Sequence, residues 1–315
     1  MSVVSKSRTT LVVLGGINMD LITLTQYMPK PGETVTGDLF YTTPGGKGGN
    51  QAVAAARMGA LVHMVGKVGT DSFGPELVGD MRREGVDVSA VAEDPDAASG
   101  IAMIMLDGDR QNYITQVRGA NLLAGRAQVE AAKVLLQLAD ALMLQLELPF
   151  EVTLEVARTA RTLGVPVFWD PSPPHPDMLR ALDAVDVITP NQTEAQFLTG
   201  IEVAGTESAE QAARNLLVRG IPTVVIKMGD LGAYYATNEE SGFVSGFDIE
   251  PVDSVGAGDA FGAALAVSLT EGLPLREAVE WGCAAGAIAV TKEGAQTAMP
   301  TRAEVEALLA ESDEA

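Results

Sequence analysis

The chain has 315 residues, of which 47% are hydrophobic, and a formal net charge of −21. This length and composition are sufficient to bury a large core in one large or two small α/β domains. The negative charge excludes a nucleic-acid or anionic-membrane surface, so a site for a phosphate ligand would have to supply its own local positive charge.

The single cysteine, Cys283, excludes an intramolecular disulfide and a cysteine-rich metal site, which fits a reducing compartment. The stretch MSVVSKSRTT lacks the apolar region of a signal peptide, and no apolar run reaches the length of a membrane span. We therefore expect a cytoplasmic protein with neither a membrane nor a nucleic acid as partner.

Short β-branched runs alternate with longer helical patterns along most of the chain. The runs predicted as buried strands are, in chain order, TLVVLGG, VHMVGKVG, ALMLQLE, VPVFWDP, VDVITPN and TVVIKMG. The segments with helical spacing are NQAVAAARMGA, ELVGDMRREGV, RAQVEAAKVLLQLAD, LEVARTARTLG, SAEQAARNLLVRG, EGLPLREAVEWGCAAGAIAV and TRAEVEALLA. This alternation predicts an α/β fold in three layers, with a mostly parallel central sheet covered by helices on both faces.

Two regions, 20–43 and 100–117, do not follow this alternation. Residues 21–41, and the pair GIAMIML and NYITQV joined by DGDR, have the pattern of antiparallel strands with a hairpin turn. We expect them to form a small sheet that projects from the main one. No linker or repeat divides the chain, so residues 1–315 are predicted to be one domain with this sheet inserted at 20–43 and 100–117.

The glycine-rich stretches differ from two familiar nucleotide-binding motifs. GGINMD follows the first predicted strand, but no G-x-G-x-x-G opens the next helix, which argues against a nicotinamide oxidoreductase. In PGGKGGNQAVAAA, Gly48 rather than Ser or Thr follows Lys47, so this is not a Walker A loop.

Polar residues stand at the loop ends of the buried strands near these glycines, where open α/β sheets bind ligands: Asn18, Asp20, Lys47 and Asn50. Carboxylate and amide side chains together with backbone amides suit a polyhydroxylated ligand. The alternative is a glycine-lined turn that lets a helix pack closely on a strand.

The stretch VDSVGAGDAFGAAL, residues 252–265, places a carboxylate at the start of an apolar helix. The N–H groups of Gly256, Ala257 and Gly258 would be unpaired at the positive end of the helix dipole, which makes an anion hole. Asp259 could then accept a proton from a hydroxyl while the amides stabilise charge on a phosphoryl group in transfer. In the simpler interpretation, Asp259 only caps the helix.

Two of these stretches, GGKGGNQAVAAARMGA and DSVGAGDAFGAAL, resemble signatures of the ribokinase-like (pfkB) carbohydrate kinase family. KPGETVTG, GANLLA, LMLQLELP, ITPNQTEAQFLTG and AIAVTKEGAQ are also similar to it, so the resemblance extends from LVVLGGINMD to GAQTAMP. It implies a ribokinase-like α/β/α sandwich with a β-sheet lid, and transfer of the ATP γ-phosphoryl group to the primary hydroxyl of D-ribose, giving ribose 5-phosphate. It further implies Mg²⁺, a monovalent cation, usually K⁺, and a homodimer formed through the lid.

The resemblance also implies a role for each matching residue. Asp259 matches the catalytic base, and the amides of Gly256, Ala257 and Gly258 match its anion hole. The positions that match sugar-binding residues are Asn18, Asp20, Gly46, Lys47, Asn50 and Glu147, together with Gln116 on the lid. Those on the nucleotide side are Asn191, Glu194, Lys227, Gly229, Gly232 and Cys283, with Glu194 also organising magnesium indirectly. The positions that match the monovalent-cation loop are Asp253, Val255, Ala289, Lys292 and Gly294.

Three residues depart from the family pattern. Ala298 stands where a serine often lies next to the cation, so one oxygen ligand is missing. Gln116 stands where the lid usually presents an apolar residue to the sugar, and it could admit a different or more polar substrate. Cys283 replaces a His or Asn often found near the adenine.

Two other functions stay open at this point. Gln116 keeps open a kinase for another pentose, a ketose or a nucleoside. A non-catalytic sugar- or nucleotide-binding protein on the same fold is the other alternative, and Asp259 counts against it because a binding protein needs no base. The stretch WDPSPPHPD is interpreted as a rigid turn rather than a site.

Overall fold

The computed structural model of the protein describes residues 8–109 and 111–313. The strands in this part of the chain are β1 (Thr10–Leu14), β2 (Asn18–Leu24), β3 (Leu39–Gly45), β4 (Leu61–Gly69), β5 (Asp87–Asp94), β6 (Gly100–Leu106), β7 (Asn112–Val117), β8 (Ala141–Leu144), β9 (Val167–Trp169), β10 (Val187–Ile188), β11 (Thr223–Lys227), β12 (Gly232–Ala236) and β13 (Ser241–Ser245). The α-helices are α1 (Lys47–Arg57), α2 (Phe73–Arg83), α3 (Arg126–Leu135), α4 (Phe150–Leu163), α5 (Gln192–Thr199), α6 (Thr206–Val218), α7 (Ala257–Thr270), α8 (Leu275–Val290) and α9 (Arg302–Asp313). None of the described helices is both long and apolar enough to cross a membrane.

The larger sheet has the strand order β13-β12-β11-β10-β9-β8-β1-β4-β5. All neighbouring pairs between β11 and β5 are parallel, and β12 and β13 extend one edge in antiparallel fashion. On β1, Leu11 and Val13 pack into a core with α1, α2, α7, α8 and α9, whereas Val12 and Leu14 pack into a second core with α3 to α6. Because alternate side chains of a strand point to opposite faces, helices cover both faces of the sheet. The predicted three-layer α/β/α sandwich is confirmed.

The smaller sheet, which we call the lid, has the order β3-β2-β6-β7. The β6–β7 hairpin and the β2–β3 pair are antiparallel, as predicted, but β2 pairs with β6 in parallel. The expectation of antiparallel pairing throughout is therefore wrong at the centre of the lid. The reason is that β2 follows β1 and β6 follows β5, and these two parallel body strands end at the same edge of the larger sheet.

The sequence did not predict the two edge strands β5 and β13 or the neighbouring β12, and it extended β8 too far. β5, β12 and β13 carry charged, serine or glycine residues in place of a continuous apolar run, so their pattern is weak. The predicted strand ALMLQLE ends at Leu144, and residues 145–147 continue beyond the sheet. The side chains of Gln145 and Glu147, in the segment that leaves the sheet, pack against Gly15 and Gly16 just after β1.

Candidate active site

Helix α7 begins at the edge formed by the carboxyl ends of the parallel strands. Its N-cap is Gly256, whose φ of 80° is in the left-handed region that glycine occupies without strain. Among the described residues, no acceptor is recorded for the N–H groups of Gly256 and Gly258, while that of Ala257 makes a long 3.4 Å hydrogen bond to the Ser254 carbonyl. These N–H groups at the positive end of a helix dipole form the predicted kind of anion site.

Asp259 lies inside the first turn of α7, with only 4% of its surface exposed. No side-chain hydrogen bond caps α7, and both carboxylate oxygens are engaged elsewhere. Asn50 Nδ2 donates to Asp259 Oδ2 at 2.8 Å, and Gln51 Nε2 donates to Oδ1 at 3.0 Å. The capping interpretation is thus not supported, and the structure directs the carboxylate toward the residues at the start of α1.

Burial raises the pKa of Asp259, and the positive charge of Lys47 opposes this rise. Burial by itself lowers the pKa of Lys47, but the surrounding carboxylates, Asp259 foremost, outweigh burial and hold the pKa above its usual value. A buried carboxylate beside a permanently charged ammonium is therefore the electrostatic centre of the site.

Glu147 receives hydrogen bonds from both the lid and the body. Asn18 Nδ2, on β2, donates to Glu147 Oε1 at 3.2 Å, and the backbone N–H of Lys47 donates to Oε2 at 2.7 Å. Gln116 Nε2, on β7, donates to the same Oε1. Asn121 Nδ2 in turn donates to Asn18 Oδ1 at 2.8 Å, which fixes the orientation of the Asn18 amide. Four of the predicted sugar-binding residues, Asn18, Lys47, Gln116 and Glu147, are thus brought together by direct hydrogen bonds.

The position of Glu147 depends on the glycine at the end of β1. A Cβ at Gly16 would lie 2.5 Å from Glu147 Oε2 and 2.6 Å from Glu147 Cβ, closer than packed atoms approach. The pair of glycines in GGINMD is therefore explained by close approach of the chain after β8, and not by a dinucleotide.

Asp20 lies on β2 opposite Thr43, and it is buried. Burial and the charges of Glu147, Asp259 and Asp253 raise the pKa of Asp20 to about 7.

The start of α1 supplies two further predicted sugar-binding residues. Gly46, the N-cap of α1, adopts a φ of 83°, and Asn50 has a buried Oδ1 without a hydrogen-bond partner among the described residues. A buried carbonyl oxygen of this kind is free to accept a hydrogen bond from a hydroxyl group.

Asp170 and Gln51 belong to the site but were missed by the sequence analysis, and the interpretation of WDPSPPHPD as a turn rather than a site is wrong at Asp170. Asp170, the residue after β9, accepts from Lys227 Nζ at 3.0 Å and from Gln51 Nε2 at 3.4 Å. A Cβ at Gly258 would lie 3.3 Å from the same Lys227 ammonium, so this positive charge lies next to the anion hole. An acidic residue directly after a buried parallel strand is the signal that could have identified Asp170, because its strand end faces the same edge as β1.

On the nucleotide side, Asn191 and Glu194 cap α5 reciprocally. Asn191 Oδ1 accepts from the Glu194 N–H, and Glu194 Oε2 accepts from the Asn191 N–H, both at 2.8 Å. A backbone bridge joins Asn191 to Lys227, and Lys227 is thereby held between this cap and Asp170. The predicted N-x-x-E motif is thus adjacent to the Asp259 group.

The other predicted nucleotide-side residues lie in the turn between β11 and β12 and on α8. Gly229 and Gly232 have φ values of 63° and 113°, which only glycine adopts readily. Cys283 packs in the core, where burial raises the pKa of its thiol to about 12. At neutral pH this thiol carries no charge and behaves as a small apolar side chain.

The predicted cation loop joins the segment before α7 to the end of α8. The Val252 N–H donates to the Val290 carbonyl at 2.7 Å, and Asp253 accepts from the N–H groups of Val255 and Gly294, both at 3.0 Å. Lys292 directs its ammonium to Glu304 at 2.7 Å, so only its backbone carbonyl is a candidate ligand. Ala298 is fully buried and contributes a methyl group at this position.

The geometry combines an anion site, a buried carboxylate beside it and a set of polar side chains directed at the same space. Such a group can bind a hydroxylated molecule, accept the proton of one hydroxyl and stabilise charge on a phosphoryl group. The fold and the site together define a phosphotransferase.

Comparison with known proteins identifies the family. Residues 8–302 match the family described as pfkB family carbohydrate kinase, and the chain belongs to that family. Ribokinase of Haemophilus influenzae is 38% identical over 297 residues, which cover 94% of this chain and 97% of that protein. Deoxyribokinase of Salmonella typhi is 32% identical over 296 residues, which cover 92% of this chain and 95% of that protein.

A solved structure of Arabidopsis thaliana ribokinase, complexed with ribose and ATP, has the same fold. It gives a TM-score of 0.88 at 32% identity, covering 96% of this chain and 99% of that one. The family resemblance inferred from the two glycine-rich signatures is therefore confirmed.

Proposed function

We propose that the protein transfers the γ-phosphoryl group of ATP to the primary hydroxyl of D-ribose, forming D-ribose 5-phosphate. The observation that carries this proposal is the buried Asp259 carboxylate beside the anion site of α7, held toward the polar pocket by Asn50. Membership of the pfkB family, and the similarity to proteins named ribokinase, one of them complexed with ribose and ATP, support it.

In the proposed reaction, Asp259 accepts the proton of the primary hydroxyl as its oxygen attacks the γ-phosphorus. The bond from that phosphorus to the ADP oxygen breaks, and the N–H groups of Gly256, Ala257 and Gly258 stabilise charge on the transferred group. Lys47 adds positive charge beside the base. Asn18, Asp20 and Glu147 hold the other hydroxyls, and the lid excludes water from them.

The donor groups fit the metal ions that we propose. Mg²⁺ keeps several waters and is bound through few protein groups and substrate phosphates, and Glu194, whose Oε2 accepts from the Asn191 N–H, would organise it indirectly. A bound Mg²⁺ would neutralise negative charge on the phosphates. The carboxylate of Asp253 and the carbonyls of Val255, Ala289, Lys292 and Gly294 are hard oxygen donors, which suit K⁺. Since the main chain around Asp253 leads directly into Gly256, a cation held there would support the geometry of the anion site.

Gly229, Gly232 and Cys283 complete the proposed nucleotide site. The two glycines leave the turn after β11 open for close approach of the nucleotide. Cys283 would contribute an apolar contact to the adenine, because its thiol is neutral.

A kinase for a related sugar is the second candidate, and Gln116 favours it. Its amide bonds to Glu147 and gives the lid side of the pocket a polar group. A protein named deoxyribokinase and a protein named ribokinase have comparable sequence identity to this chain, 32% and 38%.

We further propose a homodimer formed through the lid, in the cytoplasm. Phe40, Met103 and Tyr113 are 63%, 49% and 44% exposed, and the strand register places all three on one face of the lid. Large apolar side chains grouped on one face are typical of an interface between chains. The cytoplasm is proposed because a single cysteine cannot form an intramolecular disulfide.

The test is ADP release with ATP and Mg²⁺ on a panel of pentoses, hexoses and nucleosides, with and without K⁺, and identification of the product by ³¹P NMR. We expect turnover on ribose, stimulation by K⁺ and a fall in kcat of about 10²- to 10⁴-fold in Asp259→Asn, the usual size of a general-base contribution. Asp177→Asn, which changes an exposed carboxylate outside the site, is the matched control and should behave as wild type.

Turnover on another sugar alone would replace ribose as the substrate and leave Asp259 as the base. Binding of ribose and ATP without turnover on any member of the panel would instead show a non-catalytic binding protein.

A further inference from the structure

Gln51 is one of the most deeply buried polar residues of the site, with 1% of its surface exposed. It follows Asn50 on α1, and its side-chain amide lies between two carboxylates. Gln51 Nε2 donates to Asp259 Oδ1 at 3.0 Å and to Asp170 Oδ2 at 3.4 Å. One uncharged donor thus links two buried carboxylates that would otherwise face each other.

The orientation of the Gln51 amide is set from the opposite side. Gln145, in the segment that leaves the sheet after β8, donates through its Nε2 to Gln51 Oε1. With its oxygen occupied in this way, Gln51 can present only its NH₂ group to Asp259. Gln145 in turn fits because Gly15 has no side chain, since a Cβ at that position would overlap Gln145 Oε1.

We propose that Gln51, oriented by Gln145, is a positioning residue that holds the Asp259 carboxylate in the geometry required to accept the substrate proton. With Asn50 on Oδ2 and Gln51 on Oδ1, the carboxylate cannot rotate about its last side-chain bond without losing a buried hydrogen bond. Each oxygen keeps a free lone pair, so the sugar hydroxyl can still transfer its proton. This inference rests on the proposed function, in which Asp259 is the base.

The charges around Asp259 explain why an amide stands at position 51. Lys47 on α1 faces Asp259 with a positive charge, and Asp170 after β9 faces it with a negative one. Asp20 on β2 and Glu147 after β8 add further negative charge to the same space, and Lys227 on β11 offsets Asp170. A glutamate at position 51 would keep the size and the acceptor for Gln145, but it would set a third carboxylate against Asp170 and Asp259.

The test compares Gln51→Met, Gln145→Met and the double variant in steady-state kinetics, with Kd for sugar and ATP measured by calorimetry. Methionine has a similar volume and no donor. For Gln51→Met we expect kcat to fall by up to about 100-fold, the size of a misplaced catalytic group, with KM and Kd changed less than about threefold. Gln145→Met should show a smaller loss of kcat. The double variant should match Gln51→Met, because both act through the same hydrogen bond to Asp259.

Gln128→Met is the matched control, because Gln128 is similarly buried and, within the described part of the chain, its side chain bonds only to Gly125 at the start of α3. It should retain the kcat of wild type. Gln51→Glu should lose at least as much kcat as Gln51→Met, because it removes the donor and adds a third carboxylate beside Asp170 and Asp259.

A folded Gln51→Met with the kcat of wild type would overturn the proposal, as would higher KM at unchanged kcat, which indicates substrate binding. If Gln51→Met does not fold, Gln145→Met takes its place: kcat lower than in Gln128→Met, with KM unchanged, supports the proposal, and kcat equal to that of Gln128→Met overturns it. Should wild type act on another sugar in place of ribose, the substrate assignment fails alone, and the variants are compared on that sugar. Absence of turnover on every sugar would overturn both proposals.

Discussion

Lys227 and Asp170 form an ion pair of 3.0 Å beneath the anion site, with side chains only 12% and 4% exposed. Removal of one partner leaves the other charge buried and unpaired, which costs about 3–5 kcal/mol. We therefore expect Lys227→Met to lower the free energy of unfolding by about this amount. The double variant Lys227→Met with Asp170→Asn should recover a large part of it, since no unpaired charge then remains. Urea denaturation of wild type, Lys227→Met, Asp170→Asn and the double variant measures the coupling between the two residues.

The exposed pair Lys133 and Glu155 provides the control for this cycle. Lys133→Met should change the free energy of unfolding by less than about 1 kcal/mol, as is usual for surface ion pairs. Equal losses in Lys227→Met and Lys133→Met would contradict the importance that we assign to burial of the first pair.

Gln116 is expected to set part of the sugar preference. Gln116→Leu removes the donor to Glu147 Oε1 and presents methyl groups to the pocket. We predict that the ratio of kcat/KM for ribose over 2-deoxyribose falls by roughly fivefold, because one net hydrogen bond contributes about 1 kcal/mol. The measurement is kcat/KM for both sugars in wild type, in Gln116→Leu and in Gln111→Leu, an exposed position on the same hairpin. An unchanged ratio in Gln116→Leu would remove this residue from the basis of specificity.

Asp20 makes stability depend on pH. Its pKa is raised from 3.8 to about 7 in the folded protein, so between these values the folded chain binds a proton that the unfolded chain has lost. The contribution of Asp20 to stability is thus present below pH 4 and is lost as the pH rises through 7. We predict that Asp20→Asn melts above wild type by a small margin at about pH 5 and by a few degrees at about pH 8.

Scanning calorimetry at both pH values checks this prediction, and Asp177→Asn, an exposed carboxylate, is the control. Sugar affinity should fall in Asp20→Asn at the same time, because the group that destabilises the fold is one that the proposed function uses. A variant that is less stable than wild type at pH 8 would contradict this direction of the pH dependence.

The lid face gives a prediction about assembly. Phe40→Asp places a charge among the exposed apolar side chains, and we expect the proposed dimer to dissociate into monomers in sedimentation velocity. Val218→Asp changes a residue that is 88% exposed at the end of α6, and it should leave the sedimentation coefficient unchanged. A dimer that persists in Phe40→Asp would place the interface elsewhere. A monomeric wild type would show that there is no such interface.

The body of the fold was predictable because parallel strands buried on both faces leave long apolar runs, as in TLVVLGG and TVVIKMG. The edge strands β5 and β13 were not, since they are partly solvated and carry mixed residues, and β12, although buried, is a five-residue run without a β-branched residue. The parallel pairing of β2 and β6 depends on where two distant body strands end, and no local pattern records that relationship.

In the site, the residues that carry recognisable motifs were named from the sequence: Asp259 with its glycines, Asn50 and Lys47. Gln51, Asp170 and Gln145 were missed, although Gln51 is adjacent to a named residue. Their roles arise from hydrogen bonds between segments more than 90 residues apart, namely 94 for Gln145 and Gln51 and 208 for Gln51 and Asp259. Spacing along the chain contains no information of this kind.

The carboxylate of Glu147 accepts from Asn18 on β2 and from Gln116 on β7, and both of these strands belong to the lid, whereas Asp259 belongs to the body. The proposed sugar contacts on the lid and the proposed base on helix α7 therefore belong to different parts of the fold, and we expect the angle between the lid and the body to affect both sugar affinity and turnover. The apparent affinity is the intrinsic affinity reduced by the fraction of molecules in which this angle is correct. A second chain resting on the outer face of the lid would change that fraction, so a substitution far from every sugar contact, such as Phe40→Asp, would alter KM by shifting a conformational equilibrium.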